Sequence, residues 1–242
     1  MTLDEVLVGL FPAGHTIERG PNGTVRGTGR LDEIGDVELI GIIDGTPLGI
    51  EGALMLAAHV LTLVEQENRL PIVVLVDTSS QNMSRRDELL GLNEYLGHLY
   101  KCLAFAGTQG RRTVAVLYGG AAAGAFITTA LSTLALVALP GAEPFVMDLP
   151  SICHVTKLPL DQLNEMAEST PIFAPGVDPL FATGAVTERW DAANSLSKQL
   201  VALLQRTSGF GDRRDQTGLE RGGRKQAAAI AERVKDEAAK HA

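Results

Sequence analysis

Apolar runs too short for a helix recur along the chain, and each is followed by a polar or glycine-rich turn and then by a helical pattern. Residues 37–43 form the first run, residues 72–76 the second and residues 113–116 the third. Residues 51–67 and 87–106 place apolar side chains three or four positions apart, the spacing of one helix face. Strands that alternate with helices of this length need crossover connections, so the pattern predicts an α/β fold with a mainly parallel sheet flanked by helices.

The parts of the chain on either side of this repeat differ from it. We expect residues 1–35 to form an N-terminal helix and loop extension, and residues 36–205 to form the α/β domain, which a helix over residues 190–205 completes. From Arg206 onward the composition changes to charged residues, glycine and alanine, with a weak apolar stripe. Residues 206–242 are therefore expected to be a charged helical or flexible tail, either a solvated helix or an arm that docks a partner.

The composition is that of an ordinary packed protein. The 242 residues are 45% hydrophobic and 21% charged, which excludes a disordered chain or a disulfide-rich miniprotein. The 29 acidic and 21 basic side chains give a net charge of −8, which argues against nucleic-acid binding. The two cysteines, Cys102 and Cys153, lie on apolar segments far from each other, and we expect both to be free thiols in a reducing compartment.

Two segments bear on localisation. The N-terminus has acidic Asp4 and Glu5 where a secretory signal has basic residues, so we expect a cytoplasmic protein. Residues 113–142 contain no charged side chain and are long enough to cross a bilayer. Glycines at its centre and Pro140-Gly141 at its end interrupt this segment, which favours a strand, a glycine turn, a short buried helix and a strand. We therefore expect no membrane contact.

The motifs of several common site types are missing from the sequence. It contains neither a Gly-x-Gly-x-x-Gly motif that opens a helix after the first strand nor a Walker motif, so dinucleotide and nucleotide phosphate sites are not expected. The histidines lack the spacing of metal ligands, which gives zinc catalysis no support. His59 and His98 fall within predicted helices and are expected to be structural. Among the histidines, His154, beside Cys153 in an irregular segment, is the candidate base.

The turn at residues 118–124 is the most informative local feature. Its glycines let the backbone approach a ligand closely, and the N–H groups that a helix leaves unpaired at its start can bind negative charge. This is the chemistry of an oxyanion hole. The alternative is that the small residues only allow a helix to pack tightly on the sheet. Residues 119–126 contain no Ser, Thr or Cys, which excludes a covalent nucleophile in this turn.

The polar loop at residues 77–86 is the second feature. It follows a buried strand, where open α/β sheets place ligand-binding loops. The alternative is a solvated connection that caps the next helix through Ser84 or Asp87. The arginine pairs at 85–86 and 111–112 have the charge to meet phosphate or carboxylate groups, although such pairs are mostly solvated surface.

The order of these features resembles the carboxyltransferase branch of the crotonase superfamily. Ser79-Ser80 stands where Pro-Gly is usual in the first loop of that branch. Together with the short length, residues 50–91 and the turn at 118–121 are most similar to the gamma subunit of biotin-independent malonate decarboxylase. Further matches to the superfamily are Asp77, Thr78, Glu88, Gly91 and Glu94 in the loop and helix, Gly119, Gly120 and Gly124 in the turn, and Gly184-Ala185-Val186 after the core.

This resemblance implies a crotonase-like spiral of repeated β-β-α units and a heteromeric enzyme. The enzyme is a carboxy-lyase that converts a malonyl thioester to an acetyl thioester and CO₂. The implied partners are a beta (decarboxylase) subunit of the same fold and an acyl-carrier subunit, which holds the thioester on a dephospho-CoA-type prosthetic group. The chain itself is expected to bind no cofactor, no biotin and no metal.

The resemblance also implies which residues form the site. Decarboxylation leaves an enolate, and backbone N–H donors stabilise its negative charge without a metal or a nucleophile. The implied oxyanion hole is formed by the backbone amides of Gly119, Gly120 and Ala121. The implied substrate-binding residues are Thr78, Ser79, Ser80, Gln81 and His154.

Two other functions stay open. The chain is either a non-catalytic subunit that completes the interface and docks the carrier, or another crotonase-like acyl-CoA enzyme, such as a hydratase, an isomerase or a biotin-dependent carboxyltransferase half. A hydratase needs paired glutamates near the glycine turns, and only Glu143 lies close in sequence.

Overall fold

A computed structural model describes residues 1–171, 174–206 and 212–240. Within these ranges a single eight-stranded sheet forms the centre of the protein, and helices cover it. The strands are β1 (His15–Arg19), β2 (Thr24–Leu31), β3 (Gly35–Gly45), β4 (Ile72–Thr78), β5 (Thr113–Ala122), β6 (Ala135–Ala138), β7 (Glu143–Phe145) and β8 (Glu188–Arg189). The helices are α1 (Leu3–Leu10), α2 (Ile50–Glu65), α3 (Arg85–Leu89), α4 (Leu92–Thr108), α5 (Ala123–Thr129), α6 (Leu149–Thr156), α7 (Leu160–Ser169), α8 (Val177–Ala182), α9 (Leu196–Arg206), α10 (Arg214–Glu220) and α11 (Ala227–Lys240).

The sheet is parallel from its third strand onward. The strand order is β1-β2-β3-β4-β5-β6-β8, and β7 pairs with the carboxyl-terminal end of β5. All pairs from β3 to β8 are parallel, as the alternation of strands and helices predicts, whereas β1, β2 and β3 are joined as antiparallel hairpins. The strands β1 and β2 occupy residues that the sequence indicates as a loop extension. The reason is that β1 is an exposed edge strand without an apolar run.

Two hydrophobic cores lie on the two faces of the sheet, and β4 contributes to both. Val74 and Val76 pack with α2 and α4 in the first core. Val73 and Leu75 pack with α1 and α9 in the second core. Burial of both faces explains why this strand is a continuous apolar run rather than an alternating one.

Two predicted helices have different bounds in the structure. The helix expected over residues 87–106 is divided into α3 and α4, because Gly91 between them has a left-handed backbone with φ +83°. Leu89 is 76% exposed and does not belong to the apolar stripe. The last helix of the domain begins at Leu196 rather than at Trp190. Trp190 instead follows β8 and is buried in the second core.

The third repeat has the predicted order, with β5, the glycine turn, the buried helix α5 and β6 in succession. None of the helices in the described ranges has the length and apolar character needed to cross a membrane. Both cysteines are free thiols: Cys102 is buried in α4, and Cys153 is partly exposed in α6.

Two arginines fix the segment after residue 211 to the body of the protein: Arg214, the first residue of α10, and Arg221, which directly follows this helix. Arg214 donates to the carbonyl oxygens of Leu131 (2.7 Å) and Thr133 (2.6 Å). The guanidinium of Arg221 lies 3.7 Å from the centre of the Phe181 ring. It donates to the carbonyl oxygens of Phe181 in α8 and of Val186 and Thr187 after this helix. By contrast, α11 has no buried side chain.

Candidate active site

The predicted loop and the predicted glycine turn lie side by side at the carboxyl edge of the parallel strands. In the register of the sheet, Thr78 at the end of β4 is flanked by Gly45 on β3 and Ala121 on β5. On the other side of β5, Gly120 pairs with Glu143 of β7. The four adjacent strands β3, β4, β5 and β7 thus end at one edge of the sheet. This edge is the usual position of a ligand site in such sheets.

The Asp77 carboxylate joins the ends of three strands. It accepts hydrogen bonds from the backbone N–H groups of Gly45 and Gly120, each at 3.1 Å. Residue 119 must be glycine for this contact, because a Cβ there would lie 2.2 Å from Asp77 Oδ1. The Gly120 amide, one of the implied oxyanion donors, therefore already has an acceptor inside the protein.

Gly120 has open space on the side where other residues have a side chain. Among the described residues, a Cβ at this position would meet only the carbonyl oxygen of Thr78, at 3.4 Å, which is an ordinary van der Waals contact. Its φ is not in the left-handed region, so the backbone does not require glycine. The absence of a side chain at Gly120 keeps the backbone of the turn accessible to a ligand.

The turn enters α5 through a strained residue. Ala123 has φ +52°, which is uncommon for any residue other than glycine. A sharp strand-to-helix turn at the edge of an α/β sheet is also where a nucleophile elbow presents its serine. In this chain the residue at the corresponding point of the turn is Ala123, whose side chain is only a methyl group. The next amide, Gly124 N–H, donates to Oε1 of Gln81 at 2.9 Å.

The implied substrate-binding residues of the loop differ in exposure. The Thr78 side chain is fully buried, and its hydroxyl donates to the carbonyl oxygen of Thr46 at 2.7 Å. Ser79 is exposed, but its N–H donates to the Gly45 carbonyl oxygen at 3.2 Å. Ser80 and Gln81 are half-buried, and the Ser80 hydroxyl donates to the backbone carbonyl of Gln81 at 2.7 Å. The structure thus brings Ser79, Ser80 and Gln81 to the carboxyl edge of the sheet, whereas the Thr78 side chain is buried beneath this edge.

His154 is exposed on α6, which follows β7. Across the described parts of the chain its imidazole forms neither a hydrogen bond nor an ion pair. Its assignment as a substrate-binding residue stays a prediction.

The Tyr118 phenol beside the turn is held in its protonated form. Burial raises the pKa of Tyr118, and the carboxylates of Asp77 and Asp44 raise it further, so this phenol stays protonated at neutral pH. Its hydroxyl has no hydrogen-bond partner among the residues described.

In the part of the chain that the structure describes, no group of three or more His, Cys, Asp or Glu side chains is arranged to hold a metal ion.

Asp87 anchors the loop to α2, the helix of the first repeat, a role that sequence analysis missed. Its buried carboxylate accepts from the N–H of Ile50 (3.2 Å) and from Asn82 Nδ2 (3.1 Å). Because Gly49, the N-cap residue of α2, has no side chain, Asp87 serves as the cap from outside the helix. Burial raises the pKa of Asp87, but hydrogen bonds with Ile50, Ser84 and Asn82 lower it more, so its pKa lies below the ordinary value.

We expect the stabilisation from Asp87 to disappear in acid. A carboxyl group with a lower pKa in the folded state binds its proton more readily when unfolded. Its stabilisation is therefore complete above the ordinary aspartate pKa of about 3.9 and is lost as the pH falls through the folded value. Asp87→Asn should lower the urea midpoint at neutral pH, and the gap to the wild-type chain should close in acid. The exposed Asp32→Asn is the control, and a gap that does not change with pH would contradict the prediction.

Comparisons with known proteins agree on one family. A family model described as "Malonate decarboxylase gamma subunit" matches residues 43–238. The malonyl-S-ACP:biotin-protein carboxyltransferase MADD of Malonomonas rubra is 28% identical to this chain over 196 residues, which cover 73% of this chain and 67% of the relative.

Solved structures show the same fold. A Pseudomonas malonate decarboxylase hetero-tetramer in complex with coenzyme A contains a chain with a TM-score of 0.79 at 20% identity, and the match covers 96% of this chain and 98% of that one. A chain of transcarboxylase 12S has a TM-score of 0.66 at 16% identity, over 84% of this chain and 39% of that one. These matches confirm the crotonase-like fold that the motifs imply.

Proposed function

The chain belongs to the malonate decarboxylase gamma subunit family, and from this premise we propose that it is a working subunit of a malonate decarboxylase. In this proposal it assists the decarboxylation of a malonyl thioester to an acetyl thioester and CO₂. The enzyme is then a carboxy-lyase whose activity belongs to a heteromeric complex rather than to this chain alone.

The chemistry needs a donor for developing negative charge. Loss of CO₂ from a malonyl thioester leaves an enolate, whose charge builds on the thioester oxygen. A preorganised backbone N–H donor at that oxygen typically contributes a factor of roughly 10² to 10³ in rate. We assign this role to the turn at Gly119, Gly120 and Ala121, with the loop at Ser79, Ser80 and Gln81 beside it.

One observation supports this assignment more than any other. The glycine turn and the polar loop meet at the carboxyl edge of the sheet, and Gly120 leaves open space over the backbone between them. In this proposal the thioester approaches the turn from the side that Gly120 leaves open.

The surroundings of the edge support a partner. Large apolar side chains are exposed on the segments that follow two strands ending at this edge: Met83 (73%) and Leu89 (76%) after β4, and Val146 (46%) and Met147 (40%) after β7. Exposed apolar groups around a site are typical of a surface that another protein covers. We propose that a beta (decarboxylase) subunit of the same fold covers it, as the hetero-tetrameric assembly of the Pseudomonas relative suggests.

The substrate is proposed to arrive on a carrier. The name of the Malonomonas relative gives malonyl-S-ACP as the substrate of that protein. This supports an acyl-carrier subunit as a partner of the present chain. In the proposal, that subunit bears a dephospho-CoA-type prosthetic group, and this chain binds neither biotin nor another cofactor of its own.

A second function is favoured by the contact of Gly120 with Asp77. Because the Gly120 N–H already donates to a carboxylate, one implied donor is engaged before substrate arrives. This favours a structural subunit that completes the interface and docks the carrier, while the beta subunit contributes the reacting groups.

Reconstitution tests the proposed function. Decarboxylation of a malonyl thioester is measured with this chain alone, with its co-purified partner alone and with both together. We expect turnover only in the combination. If no mixture acts on malonyl thioester but another acyl-CoA is turned over, the chain is a different crotonase-like enzyme and the malonate assignment is wrong.

A further inference from the structure

Two acceptors of different charge flank the glycine turn. At its strand end, the Gly120 N–H donates to the Asp77 carboxylate at 3.1 Å. At its helix end, the Gly124 N–H donates to the amide oxygen of Gln81 at 2.9 Å. Residues 121–123 lie between these two bonds. The turn is thus held by one charged and one neutral acceptor.

The backbone and side chain of Gln81 are both fixed. The Leu48 N–H donates to the Ser80 carbonyl (2.9 Å), and the Asn82 N–H donates to the Leu48 carbonyl (2.8 Å), so the loop is bonded to the segment before α2. The side-chain nitrogen of Gln81 donates to the sulfur of Met83 at 3.4 Å. The amide oxygen is therefore the end that faces the turn.

The bond from Gly124 supports a strained backbone. Ala123 holds a left-handed conformation, which persists only where its surroundings enforce it. The Gly124 N–H lies in the first turn of α5, where no carbonyl of the helix is available to accept from it. Gln81 supplies that acceptor from a loop 43 residues away in sequence.

We infer that Gln81 is a positioning residue for the decarboxylation, an inference that rests on the proposed function. Through Gly124, its side chain fixes the turn against the loop. As a neutral acceptor, it does so without adding a second negative charge to that of Asp77 beside the developing enolate. A structural role needs only an acceptor, whereas the positioning role also needs the acceptor to be uncharged.

Gln81→Glu separates these two roles. Glutamate has the same length and accepts from the Gly124 N–H at least as well, so the unfolding midpoint and the hydrogen exchange of the Gly124 amide should stay at their wild-type values. Its charge opposes the charge of the enolate, so kcat of the reconstituted complex should fall roughly ten- to hundredfold, with a smaller change in KM. The matched control is Gln109→Glu, the same charge change beyond the opposite end of β5.

Gln81→Met tests the bond itself. Methionine has a similar length but no oxygen acceptor, so the Gly124 amide should exchange faster. A displaced turn should lower kcat by roughly tenfold or more, because small misplacements of catalytic groups have large effects on rate.

The outcomes separate this inference from the proposed function. If the wild-type complex does not decarboxylate malonyl thioester, the proposed function fails regardless of Gln81. If the wild-type complex is active and Gln81→Glu keeps the wild-type kcat, charge at this position does not matter and the inference is wrong. A wild-type kcat in Gln81→Met with fast exchange at Gly124 would overturn it as well.

Discussion

Replacing Arg111 by methionine should lower the free energy of unfolding by about 3 to 5 kcal/mol. The side chain is 1% exposed, and its guanidinium donates to the carbonyl oxygens of Leu63, Gln66 (3.2 Å) and Leu70 (2.9 Å) and to Asn68 Oδ1 (3.1 Å). These oxygens lie at and beyond the end of α2, where a helix leaves carbonyls unpaired and where a positive charge is favourable. Methionine fills a similar volume but has no N–H group, so each of these acceptors loses its hydrogen bond from Arg111.

Chemical denaturation of the wild-type and variant chains measures this effect. A loss of this size is a large share of the roughly 5 to 15 kcal/mol that stabilises a folded domain. Arg233→Met, on the exposed face of α11, is the control and should change stability by no more than about 0.5 kcal/mol. If both variants unfold at the same denaturant concentration, Arg111 does not hold the end of α2.

The role of Arg111 shows what the sequence does not encode locally. An arginine pair at 111–112 after a helix is typical of solvated surface, yet Arg111 is enclosed because the end of α2, about 45 residues earlier, lies over the start of β5. The repeated strands and helices were predictable, since burial on both faces of the sheet requires continuous apolar runs. The break at Gly91 was not, because leucines continue the helical spacing across it.

The site shows the same division. Its loop and its turn were predictable, because glycines and polar residues that follow buried strands are local signals. The acceptors that hold them were not. Asp77 with Gly120, and Gln81 with Gly124, are pairs 43 residues apart, and only the register between β4 and β5 brings them together. Asp87 was predicted as a cap for its own helix, whereas its carboxylate caps α2.

Gly120→Val should abolish decarboxylation by the reconstituted complex, with a loss of roughly 10²-fold or more, the size expected when an oxyanion donor is blocked. The reason is steric. In the part of the chain that the structure describes, a Cβ at position 120 meets only the Thr78 carbonyl oxygen, at 3.4 Å. The fold therefore accepts a side chain, which fills the open space over the turn. Valine also suits a strand position. Folding and assembly with the partner should therefore be unchanged while turnover is lost.

Two other glycines make this prediction specific. Gly119→Ala should lose both stability and turnover, because its Cβ would lie 2.2 Å from Asp77 Oδ1. At Gly97 in α4, an added Cβ meets no atom within 4 Å from other described elements, so Gly97→Ala should keep full turnover and gain about 0.5 to 1 kcal/mol in stability. Turnover and the unfolding midpoint are measured for each variant within the complex. If Gly120→Val assembles and turns over malonyl thioester at the wild-type rate, the turn lies away from the reacting thioester, and the structural subunit becomes the better description of this chain.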